Sequence, residues 1–345
     1  MESTYTTQPR SRLDGFIKEN KRLSIHIILF LLTLFTTTLM GMAWQGVSDL
    51  LFIERGLSYS LSLLFILSCH EFGHYFAARF HKVKTTLPYY IPMPPISMPN
   101  FGTLGAVIRM KEPIPTRKAL FDIGIAGPIA GFIASLFVLV WGFTHLPGTE
   151  FILQMHPDFN FDIMSTPNAA PGTALSIGST ILYDFMSNTF SPADAFVPPM
   201  TEMYHYPFLL TGWFGLFITA LNLLPVGQLD GGHIAYAMFG SAHRIIARVF
   251  FFLIATFGIL SLFPYAIDLL NSQEAAINFL QRFPFWDKLF WSGWVFWSMM
   301  ILFVIRLDHP PIEDPTPLSS GRMMLGWFAW VMFIVSFSPV PFTVF

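Results

Sequence analysis

Charge is scarce in this sequence. Only 12% of its residues are Asp, Glu, Lys or Arg, about half the share that a soluble domain carries. Such a chain cannot clothe a globule in charge, so a water-soluble fold is excluded. Cysteine is nearly absent. Cys69 stands alone, which rules out an internal disulfide and leaves the redox compartment unmarked. The segment 144–205 lacks lysine and arginine altogether, although it carries Glu150, Asp158, Asp162, Asp184, Asp194 and Glu202. No internal repeat and no low-complexity tract is visible, whereas transporters are often built from repeats.

What is present is apolar sequence in long blocks. Hydrophobic residues make up 53% and the mean hydropathy is +0.56. Apolar stretches run over 25–44, 57–78, 119–142, 207–224, 245–265 and 289–305, with a seventh near 323–339. Each approaches the roughly 20 residues a helix needs to cross a bilayer core. The expectation is an all-α polytopic membrane protein with about six to seven transmembrane helices. The first stretch follows 24 polar residues without a convincing cleavage site, so it is expected to stay as an anchor.

Basic residues favour the cytoplasmic side. With residues 1–24 inside and seven crossings, sixteen of the 19 Lys and Arg residues fall inside, and only Arg55, Arg282 and Lys288 fall outside. The acidic segment 144–205 then forms an outer loop. One membrane domain, 25–345, is expected to account for the rest, with a core at about 57–265.

Two stretches are not helical in pattern. The run PYYIPMPPISMP, 88–99, is too rich in proline, which removes backbone donors and clashes with the preceding turn. The following FGTLGAVIRM, 101–110, places Gly102 and Gly105 before alternating β-formers, which predicts a strand or a small membrane-associated β-hairpin. A short helix is expected within 171–190.

The second apolar stretch contains a chemical anomaly, HEFGH, residues 70–74. Ionisable groups at membrane depth are costly and are rarely kept without a partner. On a helix, His70 and His74 lie one turn apart on one face and can reach one metal ion. Glu71 is a quarter turn away, where it can touch a water on that metal without being a ligand. Zinc in such a site takes a third protein ligand and keeps a fourth position open. Asp230, in LNLLPVGQLDGGHI (221–234), follows the fourth stretch where Pro225 and Gly227 break the helix, and it shares the depth of the histidines. A turn residue in an Asp-Gly pair is the alternative for Asp230.

HEFGH together with NLLPVGQLDGG resembles the site-2 protease family of intramembrane zinc metalloproteases. Asn222, Pro225, Asp230 and Gly231 meet its N-x-x-P-x-x-x-x-D-G pattern, and FGTLGA and AGPIAG resemble its compact branch, which lacks PDZ and CBS domains. The resemblance covers about 57–265. It implies one zinc ion held by His70, His74 and Asp230, with Glu71 as catalytic base. It also implies a substrate contact at Asn222, and a hairpin carrying Gly102 and Gly105 that handles substrate. The implied substrate is a single-pass membrane protein cleaved in or near its membrane segment, in the cytoplasmic half of the bilayer, with no nucleic acid involved. A membrane metal transporter and an inactive scaffold of the same fold are the other classes compatible with intramembrane histidines.

Several features carry a blander expectation. His26, His81, His145, His156, His205, His243 and His309 have no partner at ligand spacing, and His233 is expected to pack near the site. Cys69 is expected to be a small packing residue. Trp291, Trp294 and Trp297 read as a packing stripe or an interfacial belt, and Gly127 and Gly131 as a close helix contact.

Overall fold

A computed structural model describes residues 12–94, 100–164 and 175–344. The expected apolar stretches emerge as helices. The long ones are α1 (Arg12–Trp44), α2 (Leu57–Phe80) and α3 (Arg117–Thr144). Between α2 and α3 lies an antiparallel hairpin of β1 (Tyr89–Pro92) and β2 (Thr103–Val107), pairing Tyr89 with Val107, Tyr90 with Ala106 and Pro92 with Thr103. The register shifts between Tyr90 and Pro92, and Gly105 takes φ +99° there, a conformation that a side chain resists. The outer segment adds α4 (Thr149–Met155), β3 (Leu175–Ile177) and α5 (Ile181–Phe190). The short helix expected within 171–190 thus occupies its second half, while 171–174 lie outside the described residues.

The remaining elements are α6 (Pro207–Asn222), α7 (Asp230–Phe239), α8 (His243–Ser261), α9 (Phe263–Leu270), α10 (Gln273–Arg282), α11 (Trp286–Leu289), α12 (Gly293–Met300), α13 (Ser320–Ser336) and β4 (Phe342–Val344), which pairs antiparallel with β3. Among the described residues, five helical segments are long and apolar enough to cross a bilayer: Leu23–Trp44, Leu50–Phe80, Arg117–Thr144, Asp230–Leu270 and Trp286–Ile305. The apolar helices α6 and α13 are shorter, against the expected six to seven spans. This is an all-α polytopic membrane protein.

Helix α3 is the hub. It packs on α2, α6 and α7, and α2 also packs on α6. Their facing sides bury Leu63, Leu67, Phe121, Leu139, Leu210 and Trp213. Outward sides of α2, α3 and α8 keep Phe65, Ile133, Phe137, Val249 and Phe252 exposed, which is the surface that hydrocarbon solvates. The hairpin lies beside α1 and α2, where the Thr36 hydroxyl donates to the Gly102 carbonyl at 2.6 Å and the Ser68 and Tyr90 hydroxyls meet at 2.6 Å. Trp294 is fully buried and donates its indole N–H to the Pro339 carbonyl at 2.6 Å, so the tryptophan row is a packing stripe.

One element is shorter than its apolar stretch suggests. With 16 residues at 1.5 Å per residue, α6 is about 24 Å long, less than the hydrocarbon core of about 30 Å. The chain therefore leaves the helix after Asn222 and re-enters one at Asp230. Its backbone is satisfied locally and by a later segment: Val226 donates to Leu224, Leu229 to Val226, and Gly227 to Leu307. Irregular backbone at this depth survives only inside protein or along a cavity, and here a cavity adjoins it.

Candidate metal centre

The cavity is a cleft of about 480 Å³ between α2, α3, the break before α7, β2 and the segment 309–312. Its floor holds His70, Glu71 and His74, each less than a tenth exposed. Asp230 stands at the first position of α7, opposite both histidines. Its Oδ2 lies 3.3 Å from His70 Nε2 and 3.3 Å from His74 Nε2. The two Nε2 atoms are 3.1 Å apart. Tetrahedral zinc with ligands at 2.0–2.1 Å holds its ligand atoms about 3.3 Å from one another. The triangle therefore has the edges of a zinc site, and the residues present fit the ion.

The orientation of His74 is imposed from behind. Its Nδ1–H donates to the Ile123 carbonyl of α3 at 2.7 Å, which leaves Nε2 with its lone pair toward Asp230, as a ligating histidine requires. Asn222, the last residue of α6, sets its amide nitrogen 3.3 Å from His70 Nε2. Glu71 and Ile108 line the same cleft. The cleft thus brings together His70, Glu71, His74, Asn222 and Asp230. Gly102 and Gly105 are not on its wall. Gly102 packs on the backbone of α1 at Thr36 and Thr37, and Gly105 faces open space. The hairpin instead meets the cleft through Ala106, Val107 and Ile108.

The glycines of α3 do more than allow two helices to touch. A β-carbon on Gly127 would come within 2.4 Å of three His74 ring atoms, and one on Gly131 would lie 3.1 Å from the His70 ring. The pairing is antiparallel, Gly127 with His74 and Gly131 with His70. The four-residue spacing of the glycines mirrors that of the histidines, a signal already present in the sequence.

Other pairings depart from the sequence expectation. His309 reaches the cleft from the far end of the chain. Its Nδ1–H donates to the Pro310 carbonyl at 2.6 Å, and its Nε2 lies 2.8 Å from His233 Nδ1. Burial lowers the His309 pKa from its usual value, so this imidazole accepts from His233. His81 is not alone either: it meets Asp122 at 2.8 Å, and Arg322 grips the same carboxylate with two N–H groups at 2.7 and 2.8 Å. His156 and His205, also expected to be solitary, converge on Glu202. Apart from Glu202 and His205, three residues apart, these partners are distant in sequence, so no spacing rule could expose them. Cys69 packs beside Ile66, Ala134 and Val138, as expected.

The sequence pattern of peptidase family M50 matches residues 58–264, which take in His70, Glu71, His74, Asn222 and Asp230. The chain belongs to this family. The resemblance to site-2 proteases is thereby borne out. Among M50 relatives, the probable zinc metalloprotease EGY1, chloroplastic, of Arabidopsis thaliana is 27% identical over 290 residues, covering 84% of this chain and 44% of that protein. Its namesake from Oryza sativa subsp. japonica is 33% identical over 195 residues, covering 55% and 29%. The probable zinc metalloprotease EGY2, chloroplastic, of Oryza sativa subsp. indica is 30% identical over 235 residues, covering 67% and 37%. The chain spans less than half the length of these curated relatives. No solved structure matches it.

Proposed function

We propose that this M50 protein is an intramembrane zinc metalloprotease that hydrolyses a peptide bond in or near the membrane segment of a single-pass substrate. The observation that carries this reading is the buried His70–His74–Asp230 triangle with Glu71 beside it in an open cleft. His70, His74 and Asp230 would hold one zinc ion. When bound, the ion supplies a Lewis acid and brings the pKa of a water toward neutrality.

The remaining work falls to protein groups. Glu71 takes the proton of the attacking water and returns it to the leaving amine. Asn222 offers an amide N–H at the rim of the triangle, suited to a substrate carbonyl. A substrate helix hides its peptide bonds and must unwind locally. The Ala106–Ile108 stretch offers strand backbone on the wall of the cleft, where an unwound segment can pair as an added strand. The lysine and arginine distribution supports a site in the cytoplasmic half of the bilayer, within a single domain over 25–345 whose core is about 57–265.

A metal transporter would place histidines in the membrane as well, but it has no use for a carboxylate that adjoins the triangle without belonging to it. Glu71→Gln decides the matter. Purified protein is expected to keep the zinc of this site and to lose cleavage of a single-span substrate by about 10²–10⁴-fold. Equal cleavage by wild type and variant would remove Glu71 from the chemistry. A variant that lost the zinc too would make Glu71 a ligand.

A further inference from the structure

Helix α6 has a cluster at each end. Asn222, at its C-terminal end, adjoins the centre described above. At its N-terminal end, about 24 Å away, His205 sits just before Pro207 with Glu202 three residues earlier. His156, just past the end of α4, joins them from across the outer segment. His156 Nε2 lies 3.1 Å from His205 Nε2 and 3.2 Å from Glu202 Oε2, and His205 Nε2 lies 3.6 Å from the same oxygen. These edges bracket the roughly 3.3 Å separation of ligand atoms around a tetrahedral divalent ion.

The cluster has the marks of a built site. Glu202 and His205 are buried. The Nδ1–H of His205 donates to the Trp44 carbonyl at the end of α1 at 2.6 Å, which fixes the ring and turns its Nε2 lone pair toward Glu202 and His156. A carbonyl behind the imidazole is the usual support of a ligating histidine, and it repeats the Ile123 carbonyl behind His74. His156 is the open side, with 30% of its side chain exposed, so solvent can complete the coordination. Two imidazoles and a carboxylate are a donor set for zinc and its first-row neighbours.

We propose that His156, Glu202 and His205 form a second divalent-metal site, structural in role, on the opposite side of the molecule from the cleft. The ion joins the end of α4, the approach to α6 and the end of α1, which also meet through the Phe151–Tyr206 and Trp44–Tyr204 rings. It closes the outer segment across 49 positions, and so anchors a stretch that lacks lysine and arginine to the helix that presents Asn222 to the cleft. This site stands independently of the protease reading.

Metal counting on the full chain in detergent tests it, with zinc as the probe and mass spectrometry as the readout. Wild type is expected to retain two zinc ions, and His156→Gln and Glu202→Gln one each. His70→Ala/His74→Ala should also retain one, which separates the two centres. Cobalt loaded into that double variant is expected to give the visible bands of a tetrahedral site, and adding His156→Gln should abolish them. Should Glu202→Gln fail to fold, His156→Gln decides alone, because its side chain is partly exposed. The proposal is overturned if His156→Gln binds as much zinc as wild type, whatever that amount is.

Discussion

Gly127 has no side chain because the His74 ring occupies that space. The metal triangle depends on this vacancy as much as on its ligands. His74 is held between the Ile123 carbonyl behind it and Asp230 in front, so a displaced ring loses both. Gly127→Ala is therefore expected to weaken zinc binding at His70, His74 and Asp230 by roughly 10–100-fold, the usual cost of disturbing the support of a ligand. Competitive titration with a chelator measures this. Unchanged affinity would mean that α2 and α3 can separate without disturbing the ring. The same logic explains why HEFGH was legible in sequence. Its two histidines and its glutamate lie within one turn, where helix geometry alone fixes their relation. Gly127 and Gly131 were visible as a close contact, but the residues they accommodate were not.

Among the elements, the decisive one is the short α6. Its break at Leu223–Leu229 lets α7 start at membrane depth with Asp230 as its first residue. Gly231 seats that start directly on the Leu223 carbonyl, where a β-carbon would collide. Pro225 and Gly227 announced a break, and the hairpin was announced by prolines followed by β-formers. The partner that satisfies Gly227 was not announced, because Leu307 comes from another part of the chain. A second junction holds helix ends together: Asp122 of α3 receives Arg322 of α13 and His81 from the end of α2. The carboxylate is partly buried, and Asp122→Ala leaves a cation and an imidazole unpaired. Charge-assisted bonds of this kind contribute about 1.5–3 kcal/mol. The variant should be less stable than wild type by about that free energy, read as a lower thermal midpoint. Asp122→Ala/Arg322→Ala should cost less than the two single changes together. Strict additivity would show that the pair is not coupled.

Over the whole molecule, charge and polarity sort by side. Basic residues gather at 10–22, 79–84, 109–118 and 244–248, whereas 144–205 has none. The proposed orientation therefore puts Lys84 and Glu112, both exposed, on the cytoplasmic side and the α4 region on the other. Single cysteines at 112 and 154, introduced with Cys69→Ser, are expected to react with a membrane-impermeant thiol reagent from opposite faces of sealed vesicles. Labelling of both from one face would reverse or refute this topology.

Composition and local pattern were sufficient for the solvent, the helices, the hairpin, the break and the His-Glu-His helix face. Each of these depends on residues within a few turns of each other, where periodicity and backbone sterics act directly. Packing was needed for the rest. It set Asp230 at 3.3 Å from both histidines, and it exchanged Gly102 and Gly105 for Ala106–Ile108 on the cleft wall. It also brought His309 beside His233 and joined His156 to Glu202 and His205. These relations span up to 200 positions, as between Asp122 and Arg322. They exist only because α3 gathers α2, α6, α7 and α13 around itself, and no local spacing encodes which side chains meet when helices close.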